Sequence, residues 1–127
     1  MDKVLLIGLG GFIGSIARYA LGSFVQGLTR TASFPYGTLA VNCIGCVLIG
    51  FLSALAESRG VFSGELRAFL FIGVLGGFTT FSAFGNETMQ LLRDAESLLA
   101  AMNIVAHLAL GLGGVWLGRL SVFLLWR

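Results

Sequence analysis

Gly73-Val74-Leu75-Gly76-Gly77-Phe78-Thr79-Thr80-Phe81-Ser82-Ala83-Phe84-Gly85-Asn86-Glu87 interrupts an apolar segment with adjacent glycines, three hydroxyls and three regularly spaced phenylalanines. Glycine weakens a helix, and Thr and Ser offer the backbone competing hydrogen-bond partners, so carbonyls can leave the helical ladder here. Carbonyls freed at membrane depth are tolerated only against protein, an ion or a water-filled path. The stretch therefore predicts a membrane helix broken at mid-membrane, with a functional site at the break.

The rest of the chain fits that setting. Hydrophobic residues make up 57% of 127 residues, charged residues 11%, and the mean hydropathy is +0.94. Such a balance belongs to an integral membrane protein. The length accommodates about four spans of roughly 20 residues each, with no space for a soluble catalytic domain. The first apolar stretch is too long for a signal-peptide core and lacks a basic leader and cleavage site, so it reads as a retained helix. A formal charge of +2, with its members scattered, forms no basic patch for nucleic acid.

Charges and breakers divide the chain into spans at about residues 4–28, 36–56, 66–92 and 98–117, a single four-span domain. The polar run from Thr29 to Ser33 ends the first, and Pro35, the only proline, suits entry to the second. Glu57-Ser58-Arg59-Gly60 closes the second, and Ser63-Gly64-Glu65 offers a cap to the third. Arg119 follows the fourth, leading into a short amphipathic tail with Trp126 and Arg127 as an interfacial anchor. Both termini then share one side with Lys3, Arg59, Arg67, Arg119 and Arg127. The other side collects Arg18, Arg30 and Arg93. Five against three is a weak bias under the positive-inside rule, so both orientations become accessible and could pair as an antiparallel, dual-topology homodimer. A second copy would also help to bury the break. A monomeric or parallel bundle is the plainer alternative.

Small residues mark packing surfaces: Gly10, Gly14 and Gly22 form a stripe that Arg18 completes, and Gly114 and Gly118 repeat the interval. An arginine deep in a span is costly and faces a buried partner or an aqueous vestibule. Arg18 therefore has two readings, a structural arginine on helix-end carbonyls or one that attracts an anion. Thr38, Asn42 and Cys46 share a face of the second span. The Asn42 carboxamide could bond another helix, or offer two N–H donors to an anion without a trapping charge. Cys43 and Cys46 have no further cysteine, and His107 is on another span, which argues against a metal or redox site.

If helical after the break, the third span sets Thr79, Ser82 and Asn86 on one face and Phe81 and Phe84 roughly opposite. Ring edges are electropositive and can meet an anion, whereas carbonyls released around Gly76, Gly77 and Thr79 suit a small hard cation such as sodium.

Three runs in register carry a resemblance that covers all four spans. Gly10-Gly11-Phe12-Ile13-Gly14-Ser15-Ile16-Ala17-Arg18-Tyr19, Gly37-Thr38-Leu39-Ala40-Val41-Asn42 and the stretch from Gly76 to Phe84 resemble the Fluc (CrcB) fluoride ion channels. The resemblance implies a dual-topology homodimer with two antiparallel fluoride pores in the bacterial inner membrane, and a structural Na+ at the dimer interface. Backbone carbonyls of Gly76 and Thr79 from both subunits would hold the sodium. Asn42 would donate to fluoride, Phe81 and Phe84 would flank its path, Thr80 and Ser82 would add hydroxyls beside Thr38, and Arg18 would lie toward a vestibule. Glu87 also matches a family position. The chain departs from the pattern at Ala83, Gly85 and, in the fourth span, at Asn103, His107 and Gly111. His107 either lines the pore or donates to a backbone carbonyl.

Passive export follows from the cost of moving the ion. Neutral donors in series replace hydration without trapping fluoride, and a negative-inside potential, worth about 2.3 kcal/mol per charge per 100 mV, drives it outward. A small multidrug-type dual-topology exporter shares the size, but its proton coupling calls for an intramembrane carboxylate where the first span has Arg18. A structural membrane subunit leaves Asn42 beside a hydroxyl-rich break unexplained. No nucleophile, base and orienting partner assemble into an enzyme site.

Overall fold

The computed structural model describes residues 2–31 and 33–126 and consists of helices: α1 (Lys3–Leu28), α2 (Tyr36–Arg59), α3 (Gly64–Arg67), a π-helical stretch (Ala68–Leu75), α4 (Gly76–Phe78), α5 (Phe81–Arg93) and α6 (Ser97–Leu125). Ala32 of the expected polar turn and Arg127 of the expected anchor lie outside the described residues. Four helical segments are long and apolar enough to cross a membrane: α1, α2, the third span Gly64–Arg93, and α6. The chain is an all-α integral membrane protein. Among its described larger side chains, only Val41 and Asn103 are fully buried, while much of the Leu, Ile, Val and Phe surface faces outward, as bilayer solvent requires.

Helix ends follow local chemistry. Ser63 Oγ accepts from Leu66 N–H and starts α3, and Gly60, at φ 60°, closes α2 in the left-handed conformation that glycine tolerates. The α1–α2 turn is organised by a residue the sequence reading passed over. Gln26 Nε2 donates to the carbonyls of Thr31 and Phe34, and its Oε1 accepts from Gly37 N–H at 3.0 Å. Pro35 has no side-chain donor or acceptor to cap α2, so Gln26 supplies an acceptor from the preceding helix.

The fourth span is longer than expected. Arg119 does not end it: the helix continues through the expected tail to Leu125, and the Arg119 guanidinium takes both oxygens of Glu57 near the end of α2. Packing is led by glycine. α2 and α6 form the most extensive pair, with Gly50 against the Val115 carbonyl and Gly118 against the Val47 carbonyl. α1 lies along the π-helical stretch and α4; a Cβ on Gly10 would come within 2.6 Å of the Phe69 carbonyl oxygen, and one on Gly14 would meet that of Val74. These contacts explain the Gly10/Gly14 stripe as backbone approach.

The third span leaves helical geometry later than the glycines suggest. Gly76 and Gly77 are helical, and extended backbone occurs at Thr79 (φ −84°, ψ 158°) and Thr80 (φ −151°, ψ 108°). Gly77 is needed for proximity instead, since a Cβ there would sit 2.6 Å from the Gly11 carbonyl oxygen.

Candidate ion pathway at the third span

Two residues of extended backbone remove hydrogen bonds that a helix would make, and side chains replace some of them. Thr80 N–H donates to Asn42 Oδ1 at 2.8 Å, and Asn42 Nδ2 donates back to the Thr80 carbonyl at 3.1 Å. Thr80 Oγ1 accepts from Ala83 N–H at 3.2 Å and so caps α5. Thr79 Oγ1 turns the other way, to the Leu75 carbonyl, and its methyl rests on Gly45 of α2. Thr79 is therefore tied back to the segment before the interruption and does not share a helical face with Ser82 and Asn86. Among the described residues, no backbone hydrogen bond ends on the carbonyl of Thr79, which lies between the helices.

Three neighbouring cavities run past this junction. The widest, of about 640 Å³, lies beside the α1–α2 turn, lined by Ser23, Gln26, Arg30, Thr38 and Glu87 among others. It shares Gly22, Gly37 and Thr38 with a narrow cavity of about 140 Å³ that brings Arg18, Thr38 and Thr80 together. Thr80 in turn borders a cavity of about 500 Å³ that also contains Asn42, Gly76, Thr79, Phe81, Phe84 and His107. Eight of the nine expected site residues thus line the last two cavities. Ser82 lines neither; it is exposed, with its hydroxyl 3.4 Å from that of Thr80.

Partners distinguish the readings left open by sequence. Arg18 is half-buried and, among the described residues, makes no hydrogen bond or ion pair, so it is not spent on carbonyls. Asn42 is bonded within the chain, its second N–H reaching His107 Nε2 at 3.2 Å. His107 both borders the large cavity and engages the Asn103 carbonyl through Nδ1 at 3.0 Å. Phe84 stacks between neighbours, its ring centroid 4.4 Å from that of His107 and 5.5 Å from that of Phe81, which is 84% exposed.

Two polar links lay beyond the sequence reading. Thr38 Oγ1 donates to Glu87 Oε1 at 2.6 Å, and Glu87 Oε2 is buried without a partner among the described residues. A carboxylate inside an apolar span is itself the signal that could have found this pair. Asn103, fully buried, donates to Thr88 Oγ1, which donates to the Phe84 carbonyl and ties α6 to α5.

Comparison with known proteins identifies the family. Residues 5–119 match the family described as CrcB-like protein, Camphor Resistance (CrcB). A protein of Methylobacillus flagellatus named fluoride-specific ion channel FluC is 48% identical over 118 residues, covering 93% of this chain and 92% of its own. The FluC protein of Geobacter sulfurreducens is 48% identical over 95% of this chain and 97% of its own, and FluC 1 of Methanosarcina acetivorans is 44% identical over 95% and 91%. A family match across nearly all of the four spans, with relatives this similar over most of both chains, places the protein in the CrcB family.

Proposed function

We propose that this chain is a fluoride-selective ion channel through which cytoplasmic F− leaves passively down its electrochemical gradient, protecting the cell from fluoride. The observation that carries the reading is the line of neighbouring cavities from Arg30 and Thr38, past Arg18 and Thr80, to Asn42, Phe81 and Phe84. The names of the relatives as fluoride-specific channels support the choice of ion. The membrane is the cytoplasmic (inner) membrane of a bacterium.

Fluoride gives up strong hydration on entry, so each stage has to offer donors without holding the ion. Arg18, without a partner among the described residues, draws the anion into the narrow cavity, where the hydroxyls of Thr38 and Thr80 replace water. Asn42 and Ser82 continue the donor series, and the positive edges of Phe81 and Phe84 border the path. Asn42 and Thr38 already hold partners, so each exchanges an internal hydrogen bond for one to fluoride. That exchange keeps binding shallow, as rapid release demands.

The working unit is an antiparallel homodimer with two pores, and the interruption of the third span lies at mid-membrane. Gly76 is exposed on the single chain, and each carbonyl left without a partner in hydrocarbon costs several kcal/mol. A second copy covers this region and supplies matching oxygens. The donor set fits a structural Na+: the Gly76 and Thr79 carbonyls are neutral, hard oxygens beside the interruption, and that of Thr79 takes no backbone hydrogen bond among the described residues. Two from each subunit would hold the ion, which supplies a fixed positive charge that links the copies.

Purified protein in KF-loaded liposomes tests the reading. Valinomycin should trigger fluoride release, and Asn42→Ala should slow it by about tenfold or more, as loss of an oriented donor predicts. Absence of wild-type release above protein-free liposomes would overturn it.

A further inference from the structure

Asn42 can hold the interruption only in one orientation of its carboxamide. Thr80 N–H requires the oxygen, Oδ1, at 2.8 Å, and the Thr80 carbonyl requires the nitrogen, Nδ2, at 3.1 Å. One amide hydrogen then remains, and its partner is His107 Nε2 at 3.2 Å. For that nitrogen to accept, the imidazole proton has to sit on Nδ1. The Asn103 carbonyl, which can only accept, sets this tautomer from 3.0 Å away, and the Phe84 ring lies against the imidazole.

Resting on the channel reading, we propose that His107 is a positioning residue that braces the Asn42 carboxamide in the orientation Thr80 sets and competes with the permeating anion for its second N–H. Its α6 carbonyl anchor, its tautomer and the orientation of Asn42 form one chain of dependence from Asn103 to Thr80. When Asn42 turns a donor toward fluoride, Nε2 is released, and when fluoride leaves, Nε2 recaptures it. The other tautomer, or the imidazolium, would face an N–H with an N–H.

The surroundings make this dependence readable in pH. From α2 the imidazole shares its cavity with Asn42 and the thiols of Cys43 and Cys46; from the third span with Thr80, Phe81 and Phe84; from its own helix with Leu108 and Gly111. Among the described residues, no Asp, Glu, Lys or Arg lines that cavity. Protonation therefore converts the acceptor into a donor and places a positive charge beside the anion path. Both effects slow transit, the first by misorienting Asn42 and the second by holding fluoride longer.

Fluoride efflux from liposomes, corrected with protein-free liposomes for permeation of HF, is measured at several pH values for wild type, His107→Gln and His107→Leu. The wild type should slow as pH falls through the imidazole titration. His107→Gln, which keeps an acceptor, should stay within about threefold of wild type near neutrality, and His107→Leu should be about tenfold slower, the scale of one lost hydrogen bond. Both variants should lose the pH dependence. A leucine variant as fast as wild type, a glutamine variant as slow as leucine, or a wild-type pH response retained in both, overturns the proposal. Nitrogen NMR of labelled wild-type protein adds a readout independent of transport: protonated Nδ1 with bare Nε2 is expected near neutrality, and a dominant Nε2–H form overturns the proposal. That arm decides the role of His107 even if wild-type protein releases no fluoride, a result that would count against the channel reading instead.

Discussion

Asn42 supplies Thr80 with an acceptor for its N–H and a donor for its carbonyl, in place of bonds that extended backbone withdraws. A buried backbone group left without its partner costs about 1–3 kcal/mol. Asn42→Ala should therefore lower stability in detergent by about 2 kcal/mol, beyond any effect on transport, because two such bonds go and only part of their loss is recovered. Unfolding followed by helical circular dichroism measures this, and an unchanged transition would mean that the interruption is held by Thr79 and Thr80 alone. The polar face of Thr38, Asn42 and Cys46 was legible from its four-residue spacing. Their partners were not, since Asn42 meets Thr80 38 positions away and Thr38 meets Glu87 49 away. Periodicity assigns a side chain to a face and leaves open what stands opposite.

Helices in this molecule meet through backbone surfaces, and the glycines are not equivalent. A Cβ at Gly14 would collide with the Val74 carbonyl, whereas one at Gly113 meets nothing within 4 Å. Gly14→Ala should destabilise the protein by about 1–3 kcal/mol through enforced helix separation, and Gly113→Ala should be neutral or slightly stabilising through higher helix propensity. Equal melting temperatures for the two variants would contradict the packing account. The four apolar segments were legible because charges and Pro35 punctuate them. One end moved because a charge alone does not stop a helix: Arg119 is a good helix former, remains inside α6 and pairs with Glu57. Gly76 and Gly77 drew the expected departure from helix toward themselves, yet close approach to α1 explains Gly77, and the extended residues are the two threonines. The π-helical stretch had no signal, because Ala68 to Leu75 is apolar throughout and offers no periodicity to read.

At the scale of the molecule, the proposed antiparallel pairing with a second copy rests on a weak charge bias and on the exposure of Gly76 beside the interruption. Cross-linking between single cysteines introduced at the ends of α1, in protein whose Cys43 and Cys46 have been replaced, should join opposite ends of the helix. Exclusive capture of like ends would defeat the antiparallel dimer. Exchange of Na+ for a bulky organic cation should weaken dimer association in detergent, followed by light scattering, because the Gly76 and Thr79 carbonyls would lose their shared partner; an unaltered dimer would argue that no such ion joins the subunits. The central claim concerns which ion passes. In a planar bilayer containing the purified protein, with fluoride on one side and an equal concentration of chloride on the other, the current at zero applied voltage should be carried by fluoride alone. The reversal potential should then lie far from zero and change sign when the two salts are exchanged; a reversal potential near zero in both arrangements, with substantial current, would contradict fluoride selectivity.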